Sequence, residues 1–396
     1  MTIFKIDAKW VLSAGLFFSL FFNTAVNIYF FYAVFTINLG YFLLCISVRK
    51  KLKIEPFVYF YLLFFAWSIL SLQWARDINL ASNMVFRMLI LVICIFFTIN
   101  LNNKTALIFG GFYGLLAGVI INVPLTLFDA FYISDRFSGT TINPNHIGLF
   151  SGFVIFLSIL NKDSLSRLTF VTALVLSCYL IIQTGSRKGL LLALVSISIY
   201  LLKADKRKAN FRTIFILFSI GILVLTVFIK NLDYLATIHP IFIRFHELTN
   251  ANLGDLSREG FGGDGSTRWR LIFIVEAFNI FLTNPFTGIG LDNFKTIFSE
   301  DLYSHNNYVE LLSTLGGVGF ILYYTFFVSI FSSVLKGRKV FCLFIMVFFL
   351  LMDFAMVSYF ERMYVLPLIL LFYTTKRVQL LESFTHYQRL SLRRTS

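Results

Sequence analysis

The sequence predicts an all-α polytopic membrane protein: about twelve transmembrane helices, with one long, partly helical loop on the face opposite the cytoplasm. Three observations carry this expectation. Hydrophobic residues fill 58% of the 396 positions and charged residues only 14%, against roughly 45–50% and 25% in an ordinary soluble chain. The apolar residues come in runs rather than in the three-per-seven stripe of a soluble amphipathic helix, and a bilayer core takes about 20 of them per helix. The basic residues gather in alternate loops, the pattern of the positive-inside rule.

The runs lie near 10–26, 28–48, 57–72, 84–99, 106–128, 146–160, 168–182, 189–202, 213–229, 308–335, 340–358 and 363–374. The first reads as a retained helix rather than a signal peptide, since a second span follows at once without a small-residue cleavage site. Lys5, Lys9, the Arg49–Lys53 cluster, Lys104, Lys162, Arg167, the Lys203–Arg212 cluster, Lys336–Lys339 and the tail from Lys376 all fall in every second loop. That alternation puts both termini in the cytoplasm and accounts for the net charge of +14 without nucleic acid as a partner. Membrane lipids are the expected surroundings. Cys45, Cys94, Cys178 and Cys342 all sit inside apolar runs, so they read as packing residues, with neither disulfide nor metal-ligand spacing. The organisation is then a membrane domain over 1–229 with nine spans, a loop over 230–304, a second membrane part over 305–375 with three spans, and a basic cytoplasmic tail over 376–396.

A loop as long as 230–304 is expected to be functional or to carry its own structure. Part of it reads as a helix capped by Ser266 or Thr267, with Trp269, Ile272, Phe273 and Phe278 as its apolar side and Asn284-Pro285 as its end. Two spans hold misplaced charges. Residues 189–202 give only about 21 Å of helix against a core of about 30 Å. The eighth helix should therefore begin near Gln183–Ser186, leaving Arg187 and Lys188 below the outer interface, where charges need water or an anionic partner. Arg87, about one turn inside its span, poses the same question, with snorkelling to the interface as the plainer alternative.

Four outer-face segments could carry chemistry. Arg136 to Gly148 contains Asn143-Pro144-Asn145, a turn that starts a helix and whose amides and cation also suit a sugar phosphate. Thr184-Gly185-Ser186-Arg187-Lys188-Gly189 breaks the positive-inside pattern and reads as an anion site. Ser266-Thr267-Arg268-Trp269-Arg270 is followed by Gly288-Ile289-Gly290, a weak signal without the strand–helix context of a nucleotide site. Ser304-His305-Asn306-Asn307-Tyr308-Val309-Glu310 runs on to Gly316, Gly317 and Gly319 where the long loop re-enters the membrane. His305 is the candidate base or ligand, since an imidazole titrates near neutrality. Glu310, about 140° around from it if both lie on one helix, is the weaker candidate. Asp233, Asp255, Asp264, His239 and His246 show no metal-ligand spacing.

Together these segments resemble the O-antigen ligase and polymerase superfamily of bacterial envelope glycan enzymes over most of the chain. The most specific piece is His305-Asn306, then nine residues, then Gly316-x-x-Gly319, which looks like the ligases' His-Asn motif. The Gly185-Ser186-Arg187 segment is similar to the family's outer-face arginine motif, and Arg268 stands where the long loop's arginine is expected. Asn143-Pro144-Asn145 resembles a motif shared with the polymerases. The resemblance implies a metal-independent glycosyltransferase without cofactors, at the periplasmic face of the bacterial inner membrane. Its donor would be a glycan on undecaprenyl diphosphate and its acceptor a sugar of lipid A–core, with other envelope-glycan assembly proteins as possible partners. His305 would be the base, and Arg187 with Arg136 or Arg268 would hold the diphosphate and stabilise its developing charge. Asn143, Asn145, Lys188, Asn306, Tyr308 and Glu310 complete the expected substrate contacts. A repeat-unit polymerase, with a second lipid-linked glycan as acceptor, is the alternative. A lipid-linked oligosaccharide transporter fits less well, because the polar residues gather at one end rather than at mid-membrane and there is no internal symmetry.

Overall fold

A computed structural model describes residues 7–22, 28–49, 52–101, 103–133, 136–141, 143–204, 265–297, 303–332 and 339–377, without the side chains of 49, 199, 201–204, 265–269 and 339–345. The ninth expected span, most of the long loop and the tail beyond 377 lie outside them, as do His239, His246, Asp233, Asp255 and Asp264. The described residues are mostly helical. The helices are α1 Ala8–Ser19, α2 Ile28–Arg49, α3 Pro56–Leu70, α4 Ile78–Asn100, α5 Lys104–Leu125, α6 Pro144–Leu160, α7 Arg167–Thr184, α8 Arg187–Ala204, α9 Gly265–Thr283, α10 Asn307–Ser332, α11 Lys339–Asp353 and α12 over 362–377. Among the described residues, six stretches are long and apolar enough to cross a membrane: Ile28–Val48, Pro56–Gln73, Ile78–Asn100, Lys104–Leu125, Arg167–Thr184 and Asn307–Ser332.

The chain divides into two compact units, one made of Met1–Ala117 with Arg270–Ser396, the other of Gly118–Trp269. In the first, α3 packs along α10 through Phe57, Tyr61 and Phe64, whose rings meet Phe326 and Tyr323. Its basic loops share one end. Asn100 exchanges hydrogen bonds with the Lys53 backbone, Asn103 reaches Asp7, and Lys104 lies 4.2 Å over the Tyr373 ring. Lys53 and Lys376 both pair with Glu55. Burial pushes the Glu55 carboxyl up, but Lys376, Lys53 and the Tyr373 hydroxyl together outweigh it and hold the group below its ordinary value. Four segments that the loop charges assign to one side thus meet at one end of this unit.

Several elements differ from expectation. The first run forms only 12 helical residues, about 18 Å, because the chain turns at Leu20–Phe22. Arg87 lies farther in than one turn, since Asp77 caps α4 through Asn79 and Leu80 N–H and starts the helix at Ile78. Arg87 is exposed on its surface. In the loop helix, Ser266 and Thr267 lie inside the first turn of α9 rather than before it. Its buried side is Phe273 and Ala277, which pack on Phe294 and Val309, while Phe278 is exposed. The helix ends before Asn284-Pro285 as expected.

In the second unit α6 is buried along almost its whole circumference, as a helix apolar on every side should be. It packs on α7 and α8 through Ile155, Ile159, Ile181 and Ala193. Helices α6 and α8 run parallel, with Gly148 against Ser186 and Gly189, and Gly152 against Leu192. A Cβ on Gly148 would lie 2.6 Å from the Ser186 Oγ, and one on Gly189 would overlap the Gly148 carbonyl. Small residues let the backbones touch where packing, not hydrophobicity, drives association in lipid. A leucine at Gly148 is expected to cost about 1–3 kcal/mol by overpacking and to lower the melting temperature in detergent. A leucine at Gly40, where no atom lies within 4 Å, should leave it within error.

Candidate functional site

At the N-terminal ends of α6 and α8 the second unit collects most of its polar motif residues. Asn143 caps α6, its Oδ1 accepting from Asn145 N–H at 3.0 Å, with Pro144 at the first helical position. Helix α7 stops at Thr184 because Gly185 turns left-handed at φ 55°. Ser186 then caps α8, its Oγ accepting from Gly189 N–H at 3.2 Å. The eighth helix therefore begins at Arg187, not at Gln183–Ser186 as its length suggested. Arg187 and Lys188 occupy its first turn, and 18 residues give about 27 Å, close to a bilayer core. Arg136, on the short strand Arg136–Phe137, donates Nε to the Thr184 carbonyl at 2.9 Å and Nη2 to Asn145 Oδ1 at 3.2 Å. It ties the end of α7 to the start of α6. His146 is a residue the sequence reading passed over: its Nδ1 is buried and has no hydrogen-bond partner among the described residues.

In the first unit the site is built on a broken helix. Gly316 adopts φ 66°, ψ −171° inside α10, and the carbonyls freed there are taken up from outside. Ile289 N–H donates to Ser313 O, Gly290 N–H to Thr314 O and Gly317 N–H to Pro285 O, at 2.8–3.0 Å. The Trp67 indole donates to Leu315 O at 3.0 Å. The 285–293 loop is anchored in turn by Trp74 on Thr287 O, Ser71 Oγ on Leu291 N–H and a two-way exchange between Asn293 and Asp77. The motif glycine is thus the hinge that lets the long loop's last segment dock.

His305 precedes α10, so it and Glu310 do not share a helix and the expected 140° separation does not apply. It sits at φ 56°, a left-handed conformation that costs a non-glycine residue of order 1–3 kcal/mol. Its ring lies 4.2 Å from that of Tyr303. Asn306, 3% exposed, caps α10 with Oδ1 accepting from Tyr308 and Val309 N–H. Tyr308 donates its hydroxyl to Leu350 O and stacks on Tyr324. Glu310 is buried, accepting from Ser304 N–H at 2.9 Å. Asn307 and Asp353 pin the 354–361 segment beside this turn. Asn307 Oδ1 accepts from Ser358 and Tyr359 N–H. Asp353 accepts from Asn307, Tyr324, Ser358 and Tyr364, the full partnership a buried carboxylate requires.

Arg268 lies in the first turn of α9, but its side chain is outside the described set. Arg270, passed over by the sequence reading, faces this site. Its Nε is buried without a hydrogen-bond partner among the described residues. Burial first, and then the carboxylates of Glu361 and Glu310, push the Tyr303 hydroxyl up to about 12 against the opposing charge of Arg270. Arg270 lies on the side of α9 that carries Phe273 and Ala277, three and seven residues on, and that apolar stripe was the signal for it.

Long apolar helices with polar side chains gathered at their ends define a helical membrane protein. Residues 172–324 match the O-antigen ligase family, a match that supports the superfamily of O-antigen ligases and polymerases and glycan-transferase chemistry. The matched stretch holds Arg187, Lys188, Arg268, His305, Asn306, Tyr308 and Glu310 and both motif glycines, and it leaves out Arg136, Asn143 and Asn145. No curated protein matches the chain.

A Cβ on Gly316 would overlap the Phe286 carbonyl at a strained φ, so Gly316→Ala should destabilise by more than about 1 kcal/mol. The neighbouring Gly317→Ala, whose Cβ meets only Pro285 O at 3.3 Å, should melt closer to the parent. Thermal unfolding of the two variants in one detergent checks this.

Proposed function

We propose that this chain is an O-antigen ligase-type glycosyltransferase. It moves a glycan from undecaprenyl diphosphate to a sugar of lipid A–core at the periplasmic face of the bacterial inner membrane. The observation that carries the reading is the placement of Arg187 and Lys188 in the first turn of α8, with the N-terminus of α6 alongside. A helix N-terminus carries roughly half a positive charge. Two cations added there, with no acidic residue in the first turn of either helix, concentrate positive potential. A diphosphate relieves it through bidentate arginine contacts and the positive ends of the two helix dipoles. Arg136 and Asn145, bonded to each other, border the same end, and Arg268 supplies a further cation from the long loop.

His305 takes the proton of the acceptor hydroxyl. The acceptor oxygen bonds to the anomeric carbon, the bond from that carbon to the diphosphate oxygen breaks, and undecaprenyl diphosphate leaves with the electron pair. Arg187 stabilises the charge that develops on it, and this chemistry uses no metal. Asn306 and Tyr308 shape the turn that carries His305. The alternation of basic loops supports about twelve spans with both termini in the cytoplasm.

Loss of the gene tests the reading on a gel of surface polysaccharide. Long glycan should vanish from lipid A–core while lipid-linked polymer accumulates. A single repeat unit left on lipid A–core would instead mark a repeat-unit polymerase, a reading that the Asn143-Pro144-Asn145 resemblance leaves open.

Arg187→Ala is expected to abolish transfer, and Arg187→Lys to lose much of it, because a lysine point charge does not reproduce the planar fork. His305→Ala should lose about 10²–10⁴ in rate yet keep its affinity for undecaprenyl diphosphate. Transfer and lipid-binding assays on the purified variants check both, and a fully active, well-expressed Arg187→Ala protein would sink the diphosphate role.

A further inference from the structure

We propose that Glu310 is a positioning residue: its carboxylate, by accepting the Ser304 N–H, locks the left-handed turn that presents His305. The inference rests on the reading of His305 as the base, and it gives Glu310 a different role from contact with substrate.

The turn has no way to hold itself by local preference. A non-glycine residue at φ 56° sits in a sparsely populated well, and such a conformation persists only where its surroundings over-determine it. Three sets of bonds do so here. Ser304 Oγ donates to Asn306 O at 2.9 Å and accepts from Asn306 N–H at 3.3 Å, closing the chain over His305. Asn306 Oδ1 takes the N–H groups of Tyr308 and Val309 and fixes the start of α10. Glu310, in the same helix, reaches back to Ser304 N–H, so the residues on both sides of His305 are tied to the first turns of α10. This is a capping box extended by three residues, two before the cap and one after N3, with the acidic side chain reaching past the cap to Ser304.

Burial makes the tie specific. Glu310 is 1% exposed, Ser304 0% and Asn306 3%, so the bond is shielded from solvent in the folded chain, and removing the carboxylate takes away the protein acceptor of the Ser304 N–H. The His305 ring packs on Tyr303 and would shift with the backbone. Misplacement of a reacting group by about 1 Å costs on the order of 10² in rate.

The experiment uses the full chain in nanodiscs, with undecaprenyl diphosphate-linked glycan extracted from a strain lacking the gene as donor and lipid A–core as acceptor. Turnover is measured together with affinity for undecaprenyl diphosphate and with amide hydrogen exchange of the peptide spanning 303–309. Glu310→Ala should lower kcat about 10²-fold, leave undecaprenyl diphosphate affinity within about twofold, and speed exchange at Ser304. Glu310→Gln keeps an acceptor oxygen in place and should restore both turnover and protection. Unchanged exchange in Glu310→Ala overturns the proposal. So does a Glu310→Gln protein as slow as Glu310→Ala, which would show that the charge matters and not the hydrogen bond. His305→Ala is run alongside. If it transfers glycan at the parental rate, the base assignment falls, and the exchange data still decide whether Glu310 holds the turn.

Discussion

The site-bearing end of the first unit depends on one break in one helix. An unbroken α10 would keep the carbonyls of Ser313, Thr314 and Leu315 to itself, and the 285–293 loop would have nothing to bond. Gly316 frees them. Non-helical backbone at membrane depth survives only where protein satisfies it, and here the partners are Ile289, Gly290 and the Trp67 indole. The same contacts join α9, the loop after it and the end of α3 to the turn that carries His305. Arg270, Tyr303 and His305 therefore stand on one connected framework, and the spacing from His305 to Gly316 measures the length of the first half-helix.

The second unit uses a different device for a related end. Its cations are not buried in a pocket made by loops. They are set in the first turn of a helix whose backbone touches a parallel neighbour. Gly148 and Gly189 bring the two positive helix ends together, and Gly185 and Ser186 stop α7 soon enough for α8 to begin at Arg187. Position along the helix, more than the identity of the cations, creates the local potential.

Much of this was legible from the chain itself. Apolar runs located most of the helices, because a bilayer imposes a length and a composition that hardly vary. The polar motifs at 136–148, 184–189 and 304–319 stood out because each breaks a rule of membrane sequence. The Gly316 break was hidden, since a glycine inside an apolar run reads equally as helix packing. So were the capping role of Asn306 and the inward turn of Glu310, whose partner is a backbone amide that no side-chain pattern announces; the start of α6 at Asn143-Pro144 was legible. Asp353 and Asn307 were missed for a similar reason: their partners come from α10, the 354–361 segment and α12, which only the fold brings together. Finding Arg270 needed the buried stripe of α9, which runs through the expected Phe273 and on to Ala277, while Phe278 lies outside it.

The position of α6 bears on how such a protein is made. A chain inserted from its N-terminus delivers α6 to the bilayer before α7 and α8, the helices that later enclose it. During that interval every face of α6 meets lipid. Its sequence tolerates the wait beyond the first turn: the surface there is mostly apolar, and Ser158 and Asn161 return their polar groups to the helix's own carbonyls at Val154 and Leu157. Helix α8 is the opposite case. It arrives with Arg187 and Lys188 at its leading turn and finds α6 already in place, so the charged helix docks on an apolar one that entered before it.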